Sequence, residues 1–152
     1  MKKFRSLAIA AAAALGVALT ASPSLAGPAA AANVCGSSFA QIGSYNGSGN
    51  GHSARLEVYY SSAYKQNCAV LVNTSSDTGS HHGLAVEIRP TGGSVAQPGG
   101  SDVGRYTSYA GPVYTDKNVN MSGKCVDVVG QVFDELFNSK FVEIKKNRVH
   151  CG

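Results

Sequence analysis

The sequence predicts an all-β fold, a small antiparallel β-sandwich or barrel-like domain of about seven short strands with two disulfides. Three observations lead to this prediction. Short alternating or apolar segments recur between clusters of Gly, Pro, Asn and Ser, strands do not alternate with helical segments, and all four cysteines follow residue 34. Strands at hairpin-like spacing without βαβ units are typical of sandwiches and small barrels.

The N-terminus has the features of a signal peptide. Three basic residues stand among the first five, an apolar run follows at 7–19, and Ser24 and Ala26 are small residues placed as a cleavage site requires. The apolar run is shorter than the roughly 20 residues that cross a bilayer, and no later run approaches that length. The sequence therefore predicts a secreted, extracellular protein without a membrane span after cleavage.

The domain organisation follows from this N-terminus. We expect a signal peptide at 1–26, a flexible Ala-rich N-terminus at 27–34 and a single β domain at 35–152. A chain of this length suits one domain with one hydrophobic core.

The charge balance argues against a nucleic-acid partner. The chain has 13 Lys and Arg against 9 Asp and Glu, but three of the basic residues lie in the predicted signal peptide. The remaining 10 basic residues nearly balance the 9 acidic ones, so no broad basic surface is predicted.

The cysteines predict a disulfide framework. An even number in an exported chain favours disulfides over metal ligands or free thiols, and no two cysteines are spaced as C-x-x-C. Three pairings are possible, and the sequence alone does not choose among them. We prefer Cys35 with Cys68 and Cys125 with Cys151, because each pair closes a local span of strand and turn.

Alternation and turn residues place the strands of the first half. A weak strand at 39–45 is followed by NGSGNG at 46–51, which predicts a flexible loop. The segment 55–60 alternates apolar and polar residues, as a half-buried strand does. The continuous apolar run at 68–73 predicts a strand buried on both faces.

The second half begins with an alternating strand at 84–89, which ends at Pro90 and is followed by a long turn. Because proline lacks a backbone donor, Gly111-Pro112 predicts a bend between two short strands. The remaining predicted elements are the strands 106–109, 113–115, 124–129 and 141–146, and a short helical turn at 131–137.

Three tyrosines surround that bend and are the candidate ligand-binding residues: Tyr106, Tyr109 and Tyr114. Regular alternation puts Tyr106 and Tyr114 on one face and Tyr109 on the other, whereas a bulge at Gly111 reverses the second half. The rings either form a binding surface for a glycan or fill the core and rim, where a tyrosine packs its ring and keeps its hydroxyl hydrated.

Motif searches predict no enzyme, no catalytic residues and no cofactor. The chain has no G-x-S-x-G elbow, H-E-x-x-H, P-loop or G-x-G-x-x-G after a strand. His81-His82, with Asp77 in the same loop, is the cluster that most resembles a metal site. Neighbouring side chains of an extended segment point to opposite sides, so one ion rarely binds both. We therefore predict a solvated histidine pair and no metal.

Several segments carry a family resemblance: SYAGPVY at 108–114, GKCVDVVG at 123–130, the terminal CG at 151–152, and Cys35-Gly36. With these segments the chain resembles the spore-associated protein A family of streptomycetes and related actinomycetes, which are short exported proteins. It departs from the family pattern at 128–130, where Val-Val-Gly stands in place of a tryptophan followed by two glycines. The resemblance implies association with the surface of spores or hyphae and transfers no catalytic residues.

Together these features predict a secreted spore- or cell-surface-associated structural or interaction protein, whose partner is the spore envelope or a cell-wall polymer. One alternative is a small cell-wall polysaccharide or glycan-binding module that uses the three tyrosines. Another is a secreted enzyme inhibitor or hydrolase.

Overall fold

The computed structural model describes residues 33–77, 80–96 and 99–151, so the predicted signal peptide lies outside the described residues. These residues form eight strands and no helix, and hence contain no helix long and apolar enough to cross a membrane. The all-β prediction is confirmed, with eight strands in place of about seven. The strands are β1 (Ala40–Gly49), β2 (His52–Ser61), β3 (Gln66–Asn73), β4 (His82–Pro90), β5 (Ser101–Tyr106), β6 (Tyr109–Tyr114), β7 (Val126–Phe133) and β8 (Lys140–Val149).

The strands form two antiparallel sheets that enclose one main core. The first sheet has the order β1-β2-β3-β6 and the second the order β5-β4-β7-β8. Because side chains alternate along a strand, each strand directs every second residue to the facing sheet. The largest fully buried side chains of this core include Leu56, Leu71, Leu84, Ile88, Val128 and Val132, from β2, β3, β4 and β7.

The loop predicted at 46–51 is wrong, because β1 continues to Gly49. Only Asn50-Gly51 forms the turn, with φ of 51° and 79°, the two-residue hairpin turn that Asn-Gly favours. The glycine content has a packing cause: a Cβ on Gly47 would lie 2.5 Å from Cγ1 of Ile144 on β8. The glycine-rich segment is therefore a strand that approaches β8 closely.

The bend predicted at Gly111-Pro112 is also misplaced. The chain crosses between the sheets earlier in the sequence, at residues 107–108, between Tyr106 at the end of β5 and Tyr109 at the start of β6. Gly111-Pro112 lies inside β6 as a bulge, where β6 has one residue more than β3 between two register pairs. The bulge keeps both Ala110 and Val113 in the core.

The predicted helical turn at 131–137 is wrong as well. Strand β7 continues to Phe133 because Val128, Gly130 and Val132 keep the two-residue period of a buried strand face. A turn then leads to β8, with the Asp134 carboxylate accepting a hydrogen bond from the Asn138 N–H at 2.7 Å.

Both preferred disulfides are confirmed. Cys125–Cys151 joins the chain just before β7 to the chain just after β8. Cys35–Cys68 ties the N-terminal segment to β3 and lies in a second apolar cluster, which covers the outer face of the first sheet and includes Phe39. Two disulfides are consistent with a secreted, extracellular protein.

A buried carboxylate sits on the same outer face. Glu57 is 4% exposed and accepts hydrogen bonds of 2.7 Å from Nε of Arg55 and 2.7 Å from the hydroxyl of Tyr59. Burial, followed by the hydrogen bond to Glu57 and the charge of that carboxylate, raises the pKa of Tyr59 to about 12, against a smaller opposing effect of Arg55.

The raised pKa of Tyr59 predicts a loss of stability in alkali. An unfolded tyrosine titrates near pH 10 and folded Tyr59 near 12, so its stabilising contribution is complete below pH 10 and is lost as the pH rises toward 12. We expect the unfolding free energy to fall by about 2–3 kcal/mol over this range through Tyr59. Urea unfolding of the wild type and of Tyr59→Phe at several pH values measures it. Equal losses in both proteins would contradict the assignment.

Candidate functional site

A cleft of about 570 Å³ opens beside the loop that joins β2 and β3. Its aromatic lining consists of Phe39, which precedes β1, Tyr64 in the β2–β3 loop, and Tyr114 at the end of β6. Polar residues complete the lining, among them Gln66, Asp116, Lys117 and Asn118. We call this surface the aromatic cleft.

The three rings of the aromatic cleft form one packed group. The ring of Phe39 lies 5.6 Å from that of Tyr114, nearly edge to face, and 6.0 Å from that of Tyr64. These separations fall within the range of favourable aromatic pairs. Phe39 is only 6% exposed and belongs to the floor, whereas Tyr64 is 62% exposed and presents its ring to solvent.

Tyr114 joins this floor to the disulfide-bonded N-terminal segment. Its hydroxyl donates a hydrogen bond of 3.2 Å to the backbone carbonyl of Cys35, and burial raises the pKa of its phenol. The hydroxyl therefore stays a neutral donor at physiological pH. The floor of the aromatic cleft is thus fixed by the Cys35–Cys68 disulfide and by this hydrogen bond.

The polar side of the aromatic cleft is an ordered turn. The carboxylate of Asp116 accepts hydrogen bonds from the backbone N–H of Asn118 at 2.9 Å and from its side-chain amide at 3.0 Å. Gln66 donates from its amide to the carbonyl of Thr115 at 2.6 Å. Within the described residues the exposed ammonium of Lys117 makes no ion pair, so it is available to a ligand.

The structure does not bring the three candidate tyrosines onto one surface. Tyr114 alone lines the aromatic cleft. Tyr106 packs against the main core and donates a hydrogen bond of 2.7 Å to Asp102. Tyr109 lies on the outer face opposite Val72, four residues along β3 from the partner of Tyr114, or about 13 Å away.

Phe39 and Tyr64 escaped the sequence analysis, although the cysteines contain a signal for them. Phe39 follows Cys35 by four positions, and Tyr64 precedes Cys68 by four positions. The preferred disulfide therefore brings two aromatic residues into one neighbourhood. Each looked unremarkable in its own segment, since one stands in a weak strand and the other in a polar turn.

A histidine cluster lies at one end of the sandwich, apart from the aromatic cleft. His81 is exposed but His82 is buried, so the prediction of a solvated histidine pair is wrong for His82. Successive side chains of an extended segment point to opposite sides, which turns one of the two inward. The buried His82 lies beside His52 of β2, with ring centroids 4.9 Å apart, and beside Asp77 of the β3–β4 loop. His52 was not connected with this cluster in the sequence.

Comparisons of the chain with protein-family models, with curated proteins and with solved structures find no match. The functional argument therefore depends on the geometry of the aromatic cleft.

Proposed function

We propose that the protein is a secreted, spore- or cell-surface-associated domain that binds a wall polysaccharide through the aromatic cleft. The observation that carries this proposal is the three-ring lining, in which Tyr64 presents its ring beside a floor formed by Phe39 and Tyr114. Concave sites with aromatic walls and a few fixed polar groups are the usual form of small-ligand sites.

The chemistry of the lining matches a sugar chain. The C–H face of a pyranose ring is apolar and packs on an aromatic ring, while its hydroxyl groups need hydrogen-bonding partners. Tyr64 supplies the exposed ring, and Lys117 and Asn118 stand nearby as polar groups. A polymer with repeating sugars would place successive units along such a cleft and so retain the protein at the wall.

Binding, and not hydrolysis, is the proposed activity. Glycoside hydrolysis uses two carboxyl groups placed on either side of the scissile bond. Among the described lining residues Asp116 is the one acidic side chain, and its carboxylate holds the turn at Asn118. The carboxylate therefore has a positioning role in the binding surface.

The proposed location is supported by two further features. The disulfides are consistent with an extracellular environment, and the resemblance to spore-associated proteins favours the spore or hyphal surface. A polysaccharide of the spore envelope or the cell wall is the proposed partner, because it is present at this location and its sugars fit the aromatic cleft.

Co-sedimentation tests this proposal. We expect the oxidised protein to pellet with purified spore walls, vegetative walls or isolated peptidoglycan. Replacing Tyr64 with alanine should weaken the association about tenfold, which is the effect of losing one aromatic contact of ~1.4 kcal/mol. Because Tyr64 is 62% exposed, the variant should keep the melting temperature of the wild type.

Tyr109→Ala is the matched control, since it also removes a partly exposed tyrosine but lies outside the cleft lining. We expect it to sediment like the wild type. The proposal fails if the wild type pellets with none of the walls, or if the Tyr64 and Tyr109 variants lose the same amount of binding.

A further inference from the structure

One strand of each sheet begins with a histidine. His52 is the first residue of β2, in the first sheet, and His82 is the first residue of β4, in the second. Each has the parity of the inward residues of its strand, such as Leu56 and Leu84. The two imidazoles therefore meet at the open end of the core, where Asp77 of the β3–β4 loop joins them.

The three side chains converge at ligand distances. One ring nitrogen from each histidine and one carboxylate oxygen of Asp77 all lie within 4.8 Å of one another. Nε2 of His82 is 3.0 Å from Oδ2 of Asp77. A metal ion with bonds of about 2.0–2.2 Å fits such a set after a small adjustment of the three side chains.

One ring nitrogen of each histidine also makes no hydrogen bond to the described residues. Within the described part of the chain, Nδ1 of His52 and Nε2 of His82 are buried and make no hydrogen bond. Nε2 of His82 is close to Asp77 but lacks the alignment of a hydrogen bond, and the His82 residue is only 6% exposed. Buried polar atoms normally have a partner, and a bound ion would provide one for both nitrogens.

The surroundings hold the cluster in place. The ring of Phe141 on β8 stacks on His52, with centroids 4.3 Å apart and an interplanar angle of 6°. The loop toward Asp77 is fixed beside His52, because the Ser75 hydroxyl accepts a hydrogen bond from the Ser53 N–H at 3.0 Å and donates one to the Ser53 carbonyl at 3.2 Å. Ligands that are already held in place favour metal binding, because little conformational entropy is lost when the ion binds.

We propose that His52, Asp77 and His82 form a site for a divalent transition-metal ion, with Zn²⁺ as the first choice. Two imidazoles and one carboxylate are a ligand set that Zn²⁺ accepts and that Mg²⁺ and Ca²⁺, which prefer oxygen ligands, do not. Three protein ligands leave at least one coordination position open for water or another molecule. The site is independent of the aromatic cleft.

Titration of the oxidised, metal-free protein with Zn²⁺ in a calorimeter tests the site. We expect one Zn²⁺ per chain and a rise of the melting temperature with Zn²⁺ concentration, because the ion binds the folded state. His52→Ala and Asp77→Asn should each weaken Zn²⁺ binding about tenfold or more, at least as much as the loss of an outer-shell partner. The His82→Ala variant is avoided as the principal test, because His82 is buried and its loss can affect folding.

His81→Ala is the control, because this exposed histidine is adjacent to His82 in sequence and is not part of the cluster. It should bind Zn²⁺ like the wild type, and circular dichroism verifies that every variant is folded. Asp77→Asn removes a carboxylate from an exposed loop and so keeps the test independent of core stability. The site is refuted if the wild type binds no stoichiometric Zn²⁺, or if folded His52→Ala and Asp77→Asn bind it unchanged.

Discussion

Replacing Cys35 and Cys68 together with alanine is expected to lower the unfolding free energy by about 4 kcal/mol and to abolish the proposed wall binding. The disulfide closes a span of 33 residues. In the chain-entropy model, its loss gives the unfolded chain more conformational entropy and stabilises the unfolded state by about 4 kcal/mol. The binding loss has a different cause. Without the disulfide, the N-terminal segment that carries Phe39 is no longer held against the hydroxyl of Tyr114.

The second disulfide supplies a matched control. Cys125–Cys151 closes a similar span of 26 residues, so its double alanine variant should lose about 3.5 kcal/mol. Neither of its cysteines lines the aromatic cleft, so this variant should leave wall binding intact. Urea unfolding and co-sedimentation, both performed where each variant is folded, separate the two effects. Equal binding by the two double variants would show that the N-terminal segment does not form the floor of the site.

The sequence predicted the fold class and the cysteine pairing because both depend on local signals. Strand β3 is recognisable from its apolar run, and β4 from the alternation of Leu84, Val86 and Ile88. The pairing of Cys35 with Cys68 followed from a preference for local spans, and the structure has the same pair.

The errors have a common physical origin in contacts between distant segments. Gly47 looked like part of a loop because glycine has a low intrinsic preference for strands, yet the proximity of Ile144 on β8 requires a residue without a side chain. The chain turns between sheets at 107–108, where no proline marks the step, and Gly111-Pro112 is absorbed as a bulge in β6. Local propensity carries no information on either point.

The candidate sites were less predictable than the fold for the same reason. The β2–β3 loop and the Cys35–Cys68 disulfide place Tyr64 in the lining of the aromatic cleft, and strand alternation does not predict this position. His52 meets His82 only because β2 and β4, which lie in different sheets, both direct their first residue into the same end of the core. Extending the alternation of β2 back from Leu56 would have reached His52, and the same extension from Leu84 reaches His82. Strands of the two sheets whose inward pattern ends on histidine are therefore a usable signal.

The core itself yields the other prediction with a large expected effect. Leu71 of β3 is fully buried, and a Cβ on Gly130 of β7 would lie only 2.6 Å from its Cδ1 atom. Leu71→Ala should lower the unfolding free energy by about 3–4 kcal/mol, from lost burial and the cavity that remains. Gly130→Val should lower the unfolding free energy by about 1–3 kcal/mol, because the added methyl groups collide with Leu71.

The double variant should lose less unfolding free energy than the sum of the two single losses, because the valine at 130 fills part of the space that Leu71 leaves. A double-mutant cycle by urea unfolding measures this coupling, which we expect to be about 1–2 kcal/mol in the stabilising direction. Leu56 provides a graded control, because its Cδ1 would lie at an ordinary 3.4 Å from a Cβ on Gly130. The Leu56→Ala and Gly130→Val pair should couple less strongly. Strict additivity for both pairs would mean that Gly130 is not the position where β7 accommodates the leucines of the first sheet.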